Sequence, residues 1–212
     1  MGNDLVNALK RFNCKERYWL IDNALGNQQL DNKFRKNLAT SIKEATGDKF
    51  SIPCDAYWAI DFHINWLAAV FLLDKFDIET PTSFNEDQQK YFENNQKDVD
   101  LIIAFENTLI CIEAKFIGKW DHKILQNKVD LIENILEERP KINAYYVCSS
   151  PEALPTDHTI KFQSKKIAYL YMTHNTDYEK NGFLYVTYDN KDKKKLHALA
   201  LRPKLKGNTK DG

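Results

Sequence analysis

Two apolar runs, residues 99–105 and 109–116, are separated only by a polar step at Glu106-Asn107. Short apolar runs bounded by turn residues read as strands, and a two-residue polar loop between them reads as a hairpin. With that loop, Phe105 faces Thr108, so paired residue numbers add to 213 and Asp100 lies opposite Glu113. Directly paired residues in an antiparallel ladder hold their Cβ atoms about 4.5 to 5.5 Å apart. Lys115 is two positions beyond Glu113, and strand alternation puts its ammonium on the same face.

Two facing carboxylates repel, and setting them beside apolar strands calls for a compensating cation. Lys115 supplies one positive charge. A divalent ion bridging both acids would supply two more. Oxygen-only ligation with open positions suits Mg²⁺ or Mn²⁺, which keep waters and accept phosphate oxygens. Such a group polarises a phosphoryl oxygen and lowers the pKa of a bound water, while Lys115 orients that water or stabilises developing charge. The chemistry expected is hydrolysis of a phosphodiester, with Asp100 and Glu113 as metal ligands and Lys115 as the third catalytic group.

Around this hairpin the chain reads as helices first and a strand-rich second half. Residues 4–25 have apolar positions at mixed helical spacing, with Gly26 as a stop. In residues 30–46, Leu30, Phe34, Leu38 and Ile42 recur every fourth position before Gly47. Pro53 and Asp55 open a long apolar stretch, read as a helix over 55–75 with Asp55 as its cap. A polar segment, 77–97, holds at most a short helix around 86–92. A helix over 119–138 and a strand over 142–148 follow the hairpin, with further strands expected at 166–173, 183–188 and 196–201. That order indicates an α/β or α+β sandwich with a mixed central β-sheet flanked by helices.

The acids with Glu113-Ala114-Lys115, each acid preceded by an apolar strand, resemble the PD-(D/E)XK nuclease superfamily and its restriction-endonuclease-like core. Asp100 matches the first acid, Glu113 the second and Lys115 the lysine. Val99 stands where the family has proline. The resemblance covers about residues 55–150 and implies one nuclease-like domain over 1–212. In it, 1–54 is an N-terminal helical part, 55–150 the core, and 151–212 a set of C-terminal strands with a basic tail. It implies a Mg²⁺-dependent endonuclease, with DNA as the expected nucleic acid and a homodimer as a possible assembly. In many relatives the first core helix adds an acid and the second a Gln or Lys. Asp61, four residues from Asn65, is the candidate for the first, and Gln126 and Lys128 are candidates for the second. The first strand of the family's three-stranded meander has no evident match in 77–97. A second reading keeps the fold and drops the cutting: a nuclease-like protein that binds nucleic acid or a protein partner.

Composition narrows the alternatives. The 212 residues carry 30 Lys and Arg against 30 Asp and Glu, so a purely electrostatic nucleic-acid binder is disfavoured, although a local basic groove is not. The segment 191–212 holds eight basic residues against Asp192 and Asp211. Lys161, Lys165 and Lys166 could add to a phosphate-contacting rim. Cys14, Cys54, Cys111 and Cys148 form no C-x-x-C pair, which points to reduced thiols and a cytoplasmic protein. Residues 56–73 approach the length of a membrane span but contain Asp61, His63 and Asn65. An Asp at the centre of a lipid-embedded helix costs about 2.5 to 3.5 kcal/mol, so a buried core helix is the better reading. Neither a P-loop nor a dinucleotide-binding glycine pattern occurs.

Overall fold

The computed structural model describes residues 3–26, 29–72, 83–92, 97–116, 120–137, 141–151, 160–172, 183–188 and 196–201. Where one N-terminal helix was expected there are two, α1 (Asn3–Phe12) and α2 (Glu16–Leu25), broken at Asn13-Cys14-Lys15. α1 buries Leu5, Ala8 and Leu9, while α2 buries none of its residues. Helix α3 (Asn32–Thr46) has both of its ends fixed by sequence. The Asp31 carboxylate accepts from the Phe34 N–H at 2.8 Å, and Gly47, at φ 83°, donates to the Lys43 carbonyl at 2.8 Å. A side-chain cap at the start and a left-handed glycine at the end satisfy groups that a helix leaves open.

The apolar stretch at 55–75 corrects the expectation of a single helix. Its first half is strand β1 (Tyr57–His63), and only its second half is helix α4 (Ile64–Leu72). Tyr57, Trp58, Ile60 and Phe62 are aromatic or β-branched, as a strand favours, whereas Leu67, Ala68, Ala69 and Leu72 are strong helix formers. Asp55 therefore caps no helix, and Asp61 and Asn65 do not share a helix face. A short helix, α5 (Glu86–Gln89), carries a capping box between Asn85 and Gln88.

Strands β2 (Asp98–Phe105) and β3 (Thr108–Ala114) form the expected hairpin. Next come α6 (His122–Leu136), with Asp121 as its cap, and β4 (Asn143–Ser150). The short strands β5 (Lys161–Phe162) and β6 (Lys165–Lys166) pair with each other, and β7 (Ala168–Tyr171) falls inside the strand expected at 166–173. β8 (Phe183–Tyr188) and β9 (Leu196–Leu201) pair with each other.

The main sheet runs β1-β2-β3-β4-β7. β1, β2 and β3 are an antiparallel meander, and β3, β4 and β7 are mutually parallel in sequence. A parallel neighbour needs a crossover, which α6 supplies between β3 and β4. The meander's first strand is thus β1, upstream of α4, rather than anything in 77–97. One face of the sheet packs Ala59, Phe62, Ile102, Cys111 and Tyr146 against α1, α4 and α6. The other packs Ile103, Ile110, Ile112 and Val147 against Leu38 and Ile42 of α3. The mixed α/β class and the flanking helices hold. Cys111 and Cys148 are buried and Cys14 and Cys54 are exposed, with none of the four in a disulfide. Among the described residues, no helix is long and apolar enough to cross a membrane. Most of the basic segment at 191–212 lies outside the described residues.

Candidate hydrolytic site

The hairpin has the register read from its loop. Phe105 pairs with Thr108 and the ladder continues to Leu101 with Ile112, where the pairing stops one step short of Asp100 and Glu113. Glu106 takes φ 48°, the left-handed conformation that lets a two-residue loop follow the strand twist. The Asp100 carboxylate turns onto the neighbouring strand and accepts from the Ala114 N–H at 2.7 Å. Glu113 follows Leu109 and Cys111 on the α6 side of β3.

On that side Lys128 meets Glu113. Its Nζ donates to Glu113 Oε1 at 2.6 Å and to the Asp98 carbonyl at 2.8 Å. The side chains are 11% and 19% exposed, so this pair is largely withdrawn from water. Lys128 sits on the apolar stripe of α6, among Leu125, Val129 and Ile132. Gln126, two positions away, projects to a different side and donates to Asp130 at 2.6 Å. Of the two candidates on this helix, only Lys128 reaches the acids. Lys115 lies one residue beyond β3. Its N–H donates to the Ser149 carbonyl at 2.8 Å, and its ammonium stands 6.0 Å from the centroid of Trp120.

Burial pushes the Glu113 carboxyl above the usual carboxylate range. The bond and charge of Lys128 pull it down, and the nearby Asp100 and Asp98 push it up again. Glu113 Oε2 is buried without a hydrogen-bond partner, and so is the Tyr146 hydroxyl, whose proton is held more tightly by burial and by the charge of Glu113.

The sheet is distorted beside Asp100. β1 and β2 pair as Ile60 with Leu101 and as Phe62 with Val99, but Asp61 and Asp100 between them leave the ladder. Asp61 has φ 48°, a left-handed conformation that Asp tolerates better than most residues. Both strands change sides at this point. Val99 joins the core under α4 and α6 while Leu101 packs toward α3, although an unbroken strand would put both on one face. The Asp61 carboxylate meets Arg17 Nη1 at 3.0 Å. Asp61 is therefore a strand residue paired with α2, not an acid presented by a first core helix.

Three residues at this corner had no role in the site expected from sequence. The Asp98 carboxylate accepts from Lys15 Nζ at 2.9 Å and is approached by His63 Nδ1, and the His63 ring packs edge-on against Trp66. Asp98 could have been noticed as the acid two positions before Asp100. Lys15 and His63 gave no local signal, because they meet Asp98 only through the fold. Lys165, considered for a phosphate rim, instead donates to Asp48 at 2.5 Å, where the Tyr145 hydroxyl also donates. Tyr145 belongs to the α3 side of the sheet, opposite Glu113.

As oxygen donors, Asp100 and Glu113 suit a hard divalent cation, and the unpartnered Glu113 Oε2 is a buried acceptor that such an ion would satisfy. Among the described residues, no group of three or more His, Cys, Asp or Glu is arranged to hold a metal ion. Protein ligation would then be sparse, as is usual for Mg²⁺, with water or phosphate completing the shell. No family model, curated protein or solved structure matches the chain.

Proposed function

We propose that this chain is a Mg²⁺-dependent nuclease that hydrolyses phosphodiester bonds, with DNA as its substrate and a restriction-endonuclease-like core as its scaffold. The observation that carries the reading is Glu113: a carboxylate withdrawn from water, one oxygen on Lys128, the other unpartnered, with Asp100 at the same end of the hairpin. Element order supports it as well, since α3, the β1-β2-β3 meander, α6 and β4 follow the helix, three strands, helix, strand order of the family, with α4 and α5 inserted between β1 and β2.

Asp100 and Glu113 would hold the metal, whose chemistry when bound is to polarise a phosphoryl oxygen and acidify water. Lys128 pulls the Glu113 carboxyl back toward its charged form and fixes its orientation. Lys115, at the exposed end of β3, is the amine assigned to orient the attacking water and to stabilise charge on the phosphate. Asp100, tied to the Ala114 N–H, locks the relative position of the two strands that carry the acids. The test is cleavage of plasmid DNA with Mg²⁺, together with Mn²⁺ binding by calorimetry. Glu113→Ala and Lys115→Ala should abolish cleavage, and Asp100→Ala should abolish Mn²⁺ binding. Cleavage unchanged by either substitution would remove these roles.

A second reading, a nuclease-like protein that binds without cutting, draws on the same ion pair. Lys128 already offsets one charge on Glu113, so the acid can be accommodated with no metal. DNA binding without Mn²⁺ uptake and without cleavage is the result that would favour it.

A further inference from the structure

The junction between α1 and α2 is held against the acidic corner of the sheet by two ion pairs that span long stretches of sequence. Lys15 reaches Asp98, two residues before Asp100 on β2, and Arg17 reaches Asp61 on the neighbouring strand β1. Around them, Trp19 Nε1 donates to the Asn13 carbonyl at 3.0 Å, and Tyr18 packs edge-on against Trp58. No side chain of α2 is fully buried, and Tyr18 is partly buried against the core.

The two pairs differ as structural devices: Lys15 and Asp98 are only 14% and 28% exposed, whereas the Arg17 pair is weak. The Arg17 side chain is 73% exposed, and a solvent-exposed ion pair contributes about 0 to 1 kcal/mol. Yet the backbone at Asp61 is held left-handed at the point where its carboxylate meets Arg17. Unfavourable backbone conformations kept at such points gather where a site is being shaped. A guanidinium has five donors in a planar fork, and the contact with Asp61 leaves donors that a phosphate can take bidentately. Both cations stand at the same end of the sheet as the candidate hydrolytic acids, and a phosphodiester strand reaching those acids carries further phosphates to either side.

We infer that Lys15 and Arg17 form a phosphate-binding clamp for the backbone of the DNA strand, with Asp98 and Asp61 holding the two cations in position until substrate arrives. The inference rests on the nuclease reading and extends it: it assigns substrate positioning to the N-terminal helices, outside the core that carries the acids. On binding, Arg17 would exchange all or part of its contact with Asp61 for a phosphate, and Lys15 would do the same at Asp98.

The test uses the full chain with Glu113→Gln, to prevent cutting, and a fluorescein-labelled 20-base-pair DNA duplex read by anisotropy between 50 and 200 mM salt, roughly the range over which phosphate contacts are lost. Lys15→Ala and Arg17→Ala should each weaken binding about uniformly across duplex sequences and lower the slope of log affinity against log salt by about 1. Asp61→Asn should act in the opposite direction and tighten binding several-fold, because it removes the anion that competes for Arg17. That gain should vanish when Arg17→Ala is also present. A merely structural role predicts that Arg17→Ala and Asp61→Asn change binding in the same direction. Unchanged affinity and salt slope in both alanine variants, with the Glu113→Gln parent still binding, would overturn the clamp and leave the nuclease reading standing. Should the alanine variants fail to fold, Asp61→Asn decides alone: binding equal to or weaker than the parent overturns the clamp. A parent that binds no duplex overturns the clamp and the DNA reading together.

Discussion

Lys128 is the residue whose removal should be felt most at the site. It donates to Glu113 and to the Asp98 carbonyl from inside the apolar stripe of α6. Breaking a buried pair strands the other charge, which costs about 3 to 5 kcal/mol, whereas replacing both members by neutral groups can be nearly free. Lys128→Met alone should therefore lower the unfolding free energy by about 3 kcal/mol in urea titrations at pH 7, and adding Glu113→Gln should recover most of the loss. On the other face of the sheet, the hydrogen bond from Lys165 holds the Asp48 carboxyl below its usual range, with a further bond from Tyr145. A lowered folded value means that the stabilisation is present above the unfolded pKa of 3.8 and is lost as pH falls through the folded value. Asp48→Asn should therefore flatten the acid limb of a stability-against-pH curve below about pH 4 and leave its shape near neutrality unchanged.

At the scale of elements, ends and loops carry the instructions. Gly47 closes α3 at φ 83°, in open space where an added Cβ meets nothing within 4 Å. The cost of Gly47→Ala is thus conformational alone, about 1 kcal/mol, measurable as a lowered urea midpoint with an unchanged slope. The same logic explains what could be read in advance. The hairpin was legible because Glu106-Asn107 fixes its loop, and one loop fixes every pair from Phe105 with Thr108 to Leu101 with Ile112. Lys128 was legible as a candidate, and its place between Leu125 and Val129 marks it as inward-facing. β1 was not legible. Ala59 and Phe62 go to one core and Trp58 to the other, so the strand shows no apolar-polar alternation and merges with the apolar helix that follows. The pairs Lys15 with Asp98 and Arg17 with Asp61 were beyond any local pattern, because their partners lie 83 and 44 positions away along the chain and meet only once the sheet has formed.

Across the whole molecule, the candidate acids and the segment proposed to grip substrate belong to regions of very different rigidity. β3 is the middle strand of five, with packed side chains on both faces, and Glu113 sits at its end. A catalytic group benefits from such a mounting, since its geometry must survive the arrival of substrate. α2 is the reverse: none of its residues is fully buried, it exposes Trp19, Leu20 and Leu25, and its ion pair from Arg17 is solvent-exposed. Elements with few buried apolar contacts open locally at small free-energy cost, while central strands exchange only on global unfolding. Amide hydrogen exchange should therefore place residues 110–112 of β3 among the slowest of the described backbone and residues 18–25 of α2 among the fastest of its helices. Removing both tethers, by Lys15→Ala with Arg17→Ala, should speed exchange in α2 several-fold and leave β3 unchanged. Equal acceleration in both would mean that the N-terminal helices are part of the cooperative core, and that the grip on substrate is as rigid as the acids themselves.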